Sequence, residues 1–187
     1  MLTYRGESIM NLKEIIKNRV SVKKYIQEKV DKELLIELLE DAIYAPNHKM
    51  REPWRFILID QERKEALKNA FIHETGVIDP QDEKKFDNVF SAPMVISFVM
   101  KLNQNYTDEI EDLQAVGSVI QNFMLLAYEK GLGTAWKTPG FIELDGFKEV
   151  LGVGVDEIIV ALVMVGKPEK FPEPKPRISA KEKVSIY

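Results

Sequence analysis

Two uninterrupted apolar runs constrain this chain more than anything else in it. Met94-Val95-Ile96-Ser97-Phe98-Val99-Met100 and the stretch from Ile158 to Val165 are both of strand length, with almost no polar residue. A strand wetted on one side alternates apolar with polar; these runs do not, so both of their faces must be covered. The most apolar candidate cover is the segment from Asp108 to Lys130. Its Leu113, Val116, Val119, Ile120, Phe123, Met124 and Ala127 recur at mixed three and four spacing and form a broad apolar face. Gly131 is a natural C′ stop for that helix. A helix this apolar belongs at the centre of a domain or in a subunit interface.

The remaining elements are shorter. Asn11 to Asn18 puts Leu12, Ile15 and Ile16 on one helical face. Asp31 suits an N-cap, and the helix after it turns Leu34, Leu35, Leu38, Leu39, Ala42 and Ile43 inward before ending ahead of Pro46. Phe56 to Ile59 reads as a short buried strand, followed by a charged helix from about Gln61 to Phe71. A short helix is expected near Glu143 to Leu151. Residues 72–91 are polar, with Gly76 and Pro80 and a helical hint at Phe86, Val89 and Phe90; they read equally as a lid over a site or as a solvated connection. The stretch from Gly166 to Tyr187 holds four prolines and no helical period. The expectation is one α+β domain over residues 1–187, a small mixed central sheet flanked by helices. Residues 1–9 would be a loose arm or precede an alternative start, and 167–187 an extended tail along another surface.

Composition narrows the chemistry. The 187 residues are 45% hydrophobic and 30% charged, with a net charge of −4 that gives no support for broad nucleic-acid binding. No apolar run approaches the roughly 20 residues of a membrane span, and the first nine residues lack a signal-peptide core, so a cytoplasmic protein is expected. There is no cysteine and there are two histidines, His48 and His73. Thiolate chemistry, disulfides and a histidine-rich zinc site are excluded, and no Gly-x-Ser-x-Gly elbow is present. An enzyme with so few catalytic side chains leaves the chemistry to a cofactor.

Three segments are candidates to hold one. In Arg19-Val20-Ser21-Val22-Lys23-Lys24-Tyr25, an extended backbone points Arg19, Ser21 and Lys23 to one side, where they could share a phosphate; the alternative is a solvated loop. The loop from Ala45 to Phe56 brings Asn47, His48 and Pro53-Trp54 into a strand; a polar helix-end turn with a core tryptophan is the plainer reading. Gly131-Leu132-Gly133-Thr134-Ala135-Trp136-Lys137-Thr138-Pro139-Gly140 matches no phosphate-binding glycine motif, yet its backbone could approach a flat ring closely. Lys175-Pro176-Arg177 gains weight only where the tail folds back.

In order and spacing these segments resemble the FMN-dependent nitroreductase family from about Met10 onward. The family's Arg-Arg-Ser-x-Arg/Lys-x-Phe/Tyr pattern stands here as Arg19 to Tyr25. Its Ala-Pro loop ending in Pro-Trp is matched by Ala45-Pro46 and Pro53-Trp54, its Gly-Leu-Gly-Thr-x-Trp by Gly131 to Trp136, and its Gly-x-Pro and basic tail by Gly166-Lys167-Pro168 and Lys175-Pro176-Arg177. The Ala45-Pro46-Asn47-His48 loop is similar to a subgroup with Ala-Pro-Asp/Asn-His. Met50 and Glu52 depart from the commoner asparagine and glutamine, and Val20 from the usual Arg or His.

The resemblance implies a nitroreductase-like homodimer with one FMN in each of two interface clefts. Arg19, Ser21 and Lys23 would hold its ribityl and phosphate groups, with Val20 a cofactor-binding position between them and Lys175 and Arg177 adding phosphate contacts. Trp136, Lys137 and Thr138 would lie by the ring, and His48, with Tyr44 one helical turn earlier, would reach the flavin bound mainly by the partner chain. The implied activity is hydride transfer from NADH or NADPH through flavin to a nitroaromatic, quinone or similar acceptor by ping-pong turnover. Alternatives on the same scaffold are a dehalogenase or dehydrogenase, or a flavin binder without catalysis.

Overall fold

The structure, a computed structural model, describes residues 3–4, 7–8, 11–75 and 80–187. Of the expected loose arm over 1–9, two short strands, β1 (Thr3–Tyr4) and β2 (Glu7–Ser8), pair antiparallel; the rest lies outside the described residues. Helix α1 (Leu12–Asn18) is closed by a capping box between Asn11 and Glu14. Asp31 caps α2 (Lys32–Ala42), its side chain accepting from the Glu33 N–H. Then come β3 (Trp54–Ile59), α3 (Gln61–Thr75), α4 (Pro80–Val89), β4 (Met94–Lys101), α5 (Tyr106–Glu129), β5 (Gly133–Lys137), α6 (Asp145–Val150) and β6 (Glu157–Gly166).

The α+β class holds, but the four-stranded sheet is antiparallel throughout rather than mixed, in the order β3-β4-β6-β5. The two apolar runs, β4 and β6, are its central strands, and successive residues feed two separate cores. Val95, Val99, Ile159, Leu162 and Met164 join one core; Ile96, Phe98, Met100, Ala161, Val163 and Val165 join the other. A register shift between Phe98 and Val99 accommodates one extra residue of β6. The second core is roofed by α2 and α5, with Leu35, Leu38, Val116, Ile120 and Phe123 fully buried or nearly so.

The first core corrects the sequence reading. Residues 80–90 are neither lid loop nor solvated connection. Phe86 and Phe90 stack with Phe71, Phe141 and Phe147 at ring separations between 4.5 and 6.5 Å, and Val89 is buried beside them. The charge of α4 masked its one apolar stripe. Gly76, the turn signal of that stretch, lies outside the described residues. β3 begins two residues early and is half-buried rather than buried, because it is an edge strand. The glycine-rich segment after α5 is itself a strand, β5, which forms the opposite edge and pairs along β6. Leu12, Ile16 and Leu113, expected inward, are 64%, 53% and 45% exposed.

Candidate functional site

The Arg19–Tyr25 segment lies against the β5 edge, and two glycines decide how closely. Gly131 ends α5 at a φ of +76°, a left-handed turn that glycine enters without penalty. At Gly133 an added Cβ would stand 2.7 Å from Val22 Cγ2, so only glycine lets the segment approach. The Val22 N–H donates to the Thr134 carbonyl at 2.9 Å, and Ser21 forms a parallel bridge with Thr134. Val22 and Tyr25 are buried, which roots the segment in the core. The Tyr25 hydroxyl donates to the Val22 carbonyl at 2.9 Å, and burial pushes its pKa well above the ordinary value. The alternation leaves Ser21 and Lys23 outside.

The tail folds back along this segment. Ile26 N–H donates to the Lys167 carbonyl, Glu169 N–H to the Lys24 carbonyl, and Tyr25 bridges Pro168. Phe171 then lays its edge on Tyr128 of α5 at 5.0 Å between ring centres. Segment and tail enclose a cavity of about 580 Å³, within the range of small-molecule sites. It is lined by Arg19, Val20, Ser21 and Lys23 on one side and by Lys175 and Arg177 on the other, so six of the sequence candidates meet in one place. Lys24 and Lys170, which the sequence reading passed over, add two more cations, and Glu169 and Glu173 two carboxylates. The signal for Lys170 was available only once the tail was known to turn back.

Arg19 is the informative member. Its Nη1 is buried and has no hydrogen-bond partner in the protein. Burial first, and the neighbouring Arg177 guanidinium second, hold its pKa below the ordinary arginine value. A buried, unpaired N–H on a cation is expensive, and an anion in the cavity would both satisfy it and relieve the repulsion with Arg177. These residues therefore fit the phosphate of a ligand such as FMN.

The other candidates stand elsewhere. Trp136 and Lys137 on β5, and Thr138 just past its end, lie about 7–13 Å beyond Thr134 at roughly 3.3 Å per residue, outside the cavity lining. The Trp136 ring packs against α5 beside Gly117. Tyr44 is 86% exposed, and His48 is exposed beside a second cavity of about 360 Å³ that also includes Asn47, Glu111, Gln114 and Ser118. Within one chain, the His48 loop and the Arg19 cavity share no lining residue.

Residues 48–52 of that loop are unusual. Lys49, Met50 and Glu52 have φ of 55°, 51° and 47°, a left-handed conformation that costs a non-glycine residue roughly 1–2 kcal/mol. Arg51, which the sequence reading did not single out, lies among them. Its guanidinium meets Asp112 Oδ1 at 2.6 Å, Glu111 Oε2 at 3.0 Å and Asp108 Oδ1 at 3.3 Å, and hydrogen bonding to Glu111 and Asp112 raises its pKa. The partners lie about sixty residues away, so no local pattern announced them.

Fold and cavity together describe an α+β protein with a basic-lined cavity beside the β5 edge of its sheet. Residues 16–167 match the family model described as Nitroreductase family. A Bacillus subtilis (strain 168) protein with the provisional name NAD(P)H nitroreductase YfhC is 34% identical over 178 residues, spanning 92% of each chain. The crystal structure of a nitroreductase-like family protein from Bacillus cereus superposes with a TM-score of 0.86 at 35% identity, covering 100% of this chain and 98% of that one. The FMN and NADPH-dependent nitroreductase NfnB of a Sphingopyxis strain (HMH) shares the fold at a TM-score of 0.77 and 19% identity, over 95% of this chain and 99% of its own. The chain belongs to the nitroreductase family.

Proposed function

We propose that this chain is an FMN-dependent oxidoreductase, working as a cytoplasmic homodimer, that takes hydride from NADH or NADPH and delivers it to an electron-poor acceptor such as a nitroaromatic or quinone in a ping-pong cycle. The observation that carries this reading is the buried, unpartnered Arg19 Nη1 in a cavity lined by six basic side chains. The names of its relatives and fold neighbours, NAD(P)H nitroreductase and FMN and NADPH-dependent nitroreductase, agree with it.

FMN, when bound, supplies an acceptor and donor of two electrons that no side chain of this protein could replace. The protein's part is to bind and orient. Arg19, Ser21 and Lys23 would take the phosphate and ribityl groups from one side, and Lys175 and Arg177 from the tail. Trp136, Lys137 and Thr138 would flank the ring, and Lys137 or the partner's His48 would place positive charge or a hydrogen-bond donor where negative charge develops. Protons would come from solvent. The exposed Leu12, Ile16 and Leu113 supply apolar surface for a second copy to cover. In that arrangement 1–187 is a single domain and the tail packs on the dimer.

The absorption spectrum of the purified protein, offered FMN, tests the reading. Oxidised-flavin bands are expected, bleaching under anaerobic NADH or NADPH and recovering on addition of a nitroaromatic. Absence of bound flavin, or a bound flavin that neither nucleotide reduces, overturns it.

A further inference from the structure

The loop that carries His48 is held in a conformation its own residues disfavour, and one side chain does most of the holding. Arg51 itself has ordinary helical backbone angles, between neighbours at positive φ. Its N–H donates to the His48 carbonyl at 3.3 Å, tying the two residues through the main chain. From there its guanidinium reaches across to α5: Nε to Asp112 Oδ1, Nη1 to Asp108 Oδ1, and Nη2 to both Glu111 Oε2 and the Asp108 carbonyl at 3.2 Å. Asp112 is 3% exposed, and its second oxygen faces Asn103 Nδ2 at 3.5 Å, so the anchor is itself oriented. The loop is closed on its other side by Asn47 Oδ1, which accepts from the Glu52 N–H at 3.1 Å.

An ordinary surface ion pair needs one carboxylate; this arginine takes three from one helix, plus a main-chain carbonyl. The planar fork is required, because a lysine ammonium is a compact point that cannot span those acceptors together. Glu111 is at once a partner of Arg51 and a wall of the cavity beside His48, so the clamp and the histidine share a boundary.

We propose that Arg51 is a positioning residue for the flavin ring: by clamping the 47–52 loop to α5 it fixes where His48 stands. The role rests on the reading of function above, in which His48 reaches the flavin. A loop with several left-handed residues stays put only while surrounding contacts over-determine it, and Arg51 is the densest of those contacts.

Amide hydrogen exchange of the FMN-free dimer and visible circular dichroism of the FMN-loaded dimer test this in wild type, Arg51→Gln, Arg51→Lys and His48→Ala. In Arg51→Gln, amides of 47–52 should exchange at least about tenfold faster, with β4 and β6 unchanged. Its flavin dichroism should move in the same direction as that of His48→Ala, with a several-fold rise in KM for NADH and unaltered FMN retention. Arg51→Lys should fail to rescue the signature, and the flavin dichroism of the Arg51→Gln/His48→Ala double variant should match that of His48→Ala alone. Should Arg51→Gln not fold, Glu111→Gln is expected to give the same loop signature at about a third of its size. Wild-type exchange at 47–52, or wild-type dichroism where that of His48→Ala moves, overturns the role of Arg51 and leaves the oxidoreductase reading standing. A protein that takes up no FMN overturns that reading and this role together.

Discussion

Arg19 and Arg51 sit in opposite electrostatic circumstances on the same small protein. Arg51 meets three carboxylates and spends its donors on them, whereas Arg19 holds a buried Nη1 with no partner and faces a second guanidinium. A saturated cation contributes to structure and leaves nothing for a ligand. An unsaturated one lowers the stability of the empty protein and becomes favourable only when an anion arrives. On the two proposals above, the contrast separates the part of the chain that binds from the part that aims.

The largest effect expected of this contrast is on cofactor retention. Arg19→Ala should weaken FMN binding roughly 10–100-fold, the worth of one or two lost charge-assisted hydrogen bonds; fluorescence titration of the apoprotein measures it, and undiminished affinity would count against the phosphate role. Next comes Gly133→Ala, whose new methyl would press on Val22 and displace the segment behind Arg19. It should destabilise the fold by about 1–3 kcal/mol and weaken FMN binding as well. A third test compares signs in the FMN-free protein. Arg19→Met should leave Tm unchanged or raise it, because a desolvated, unpaired cation is removed; Arg51→Met should lower Tm by a few degrees. Equal signs by calorimetry would break the comparison.

The smallest effect is on acid stability. Hydrogen bonding from Lys32 holds Asp60 below the ordinary carboxylate range, and hydrogen bonding from Arg55, with help from the Gly154 N–H, does the same for Glu157. Folded values below unfolded ones mean stability that is fully present above the unfolded pKa of about 4 and lost as pH falls through the depressed folded values. The partly exposed Arg55–Glu157 pair should contribute under about 1 kcal/mol. Thermal melts between pH 6 and 2 should show less acid dependence in Glu157→Gln than in wild type.

The legible parts of the sequence were those whose physics is local. β4 and β6 announced themselves by apolar runs, α5 by its periodic face and glycine stop, and α2 by its aspartate cap. β5 was hidden because Gly-Thr-Ala-Trp-Lys has weak strand propensity and becomes a strand only by pairing with β6. α4 was visible only as a helical hint at Phe86, Val89 and Phe90, because charge outweighed that stripe over the rest of the helix. Of the site, the Arg19 segment and the basic tail were each visible, and the family resemblance placed both on one phosphate. The enclosing cavity required the fold, since Arg177 reaches Arg19 only because the tail runs back along residues 24–26. The Arg51 clamp left no trace in the sequence, because its meaning lies wholly in acids on a distant helix.

Because alternate residues of β4 and β6 feed separate cores, the Arg19 segment and the His48 loop, which the proposed function joins in one site, are rooted on opposite sides of the sheet. Val22 and Tyr25, beneath the Arg19 segment, belong to one core; Ala42 and Ala45, from which the His48 loop departs, belong to the other. Substitutions accumulating on one side therefore need not disturb the other. On the proposed division of roles, a lineage built on this frame could drift in what it reduces while inheriting its grip on the cofactor intact.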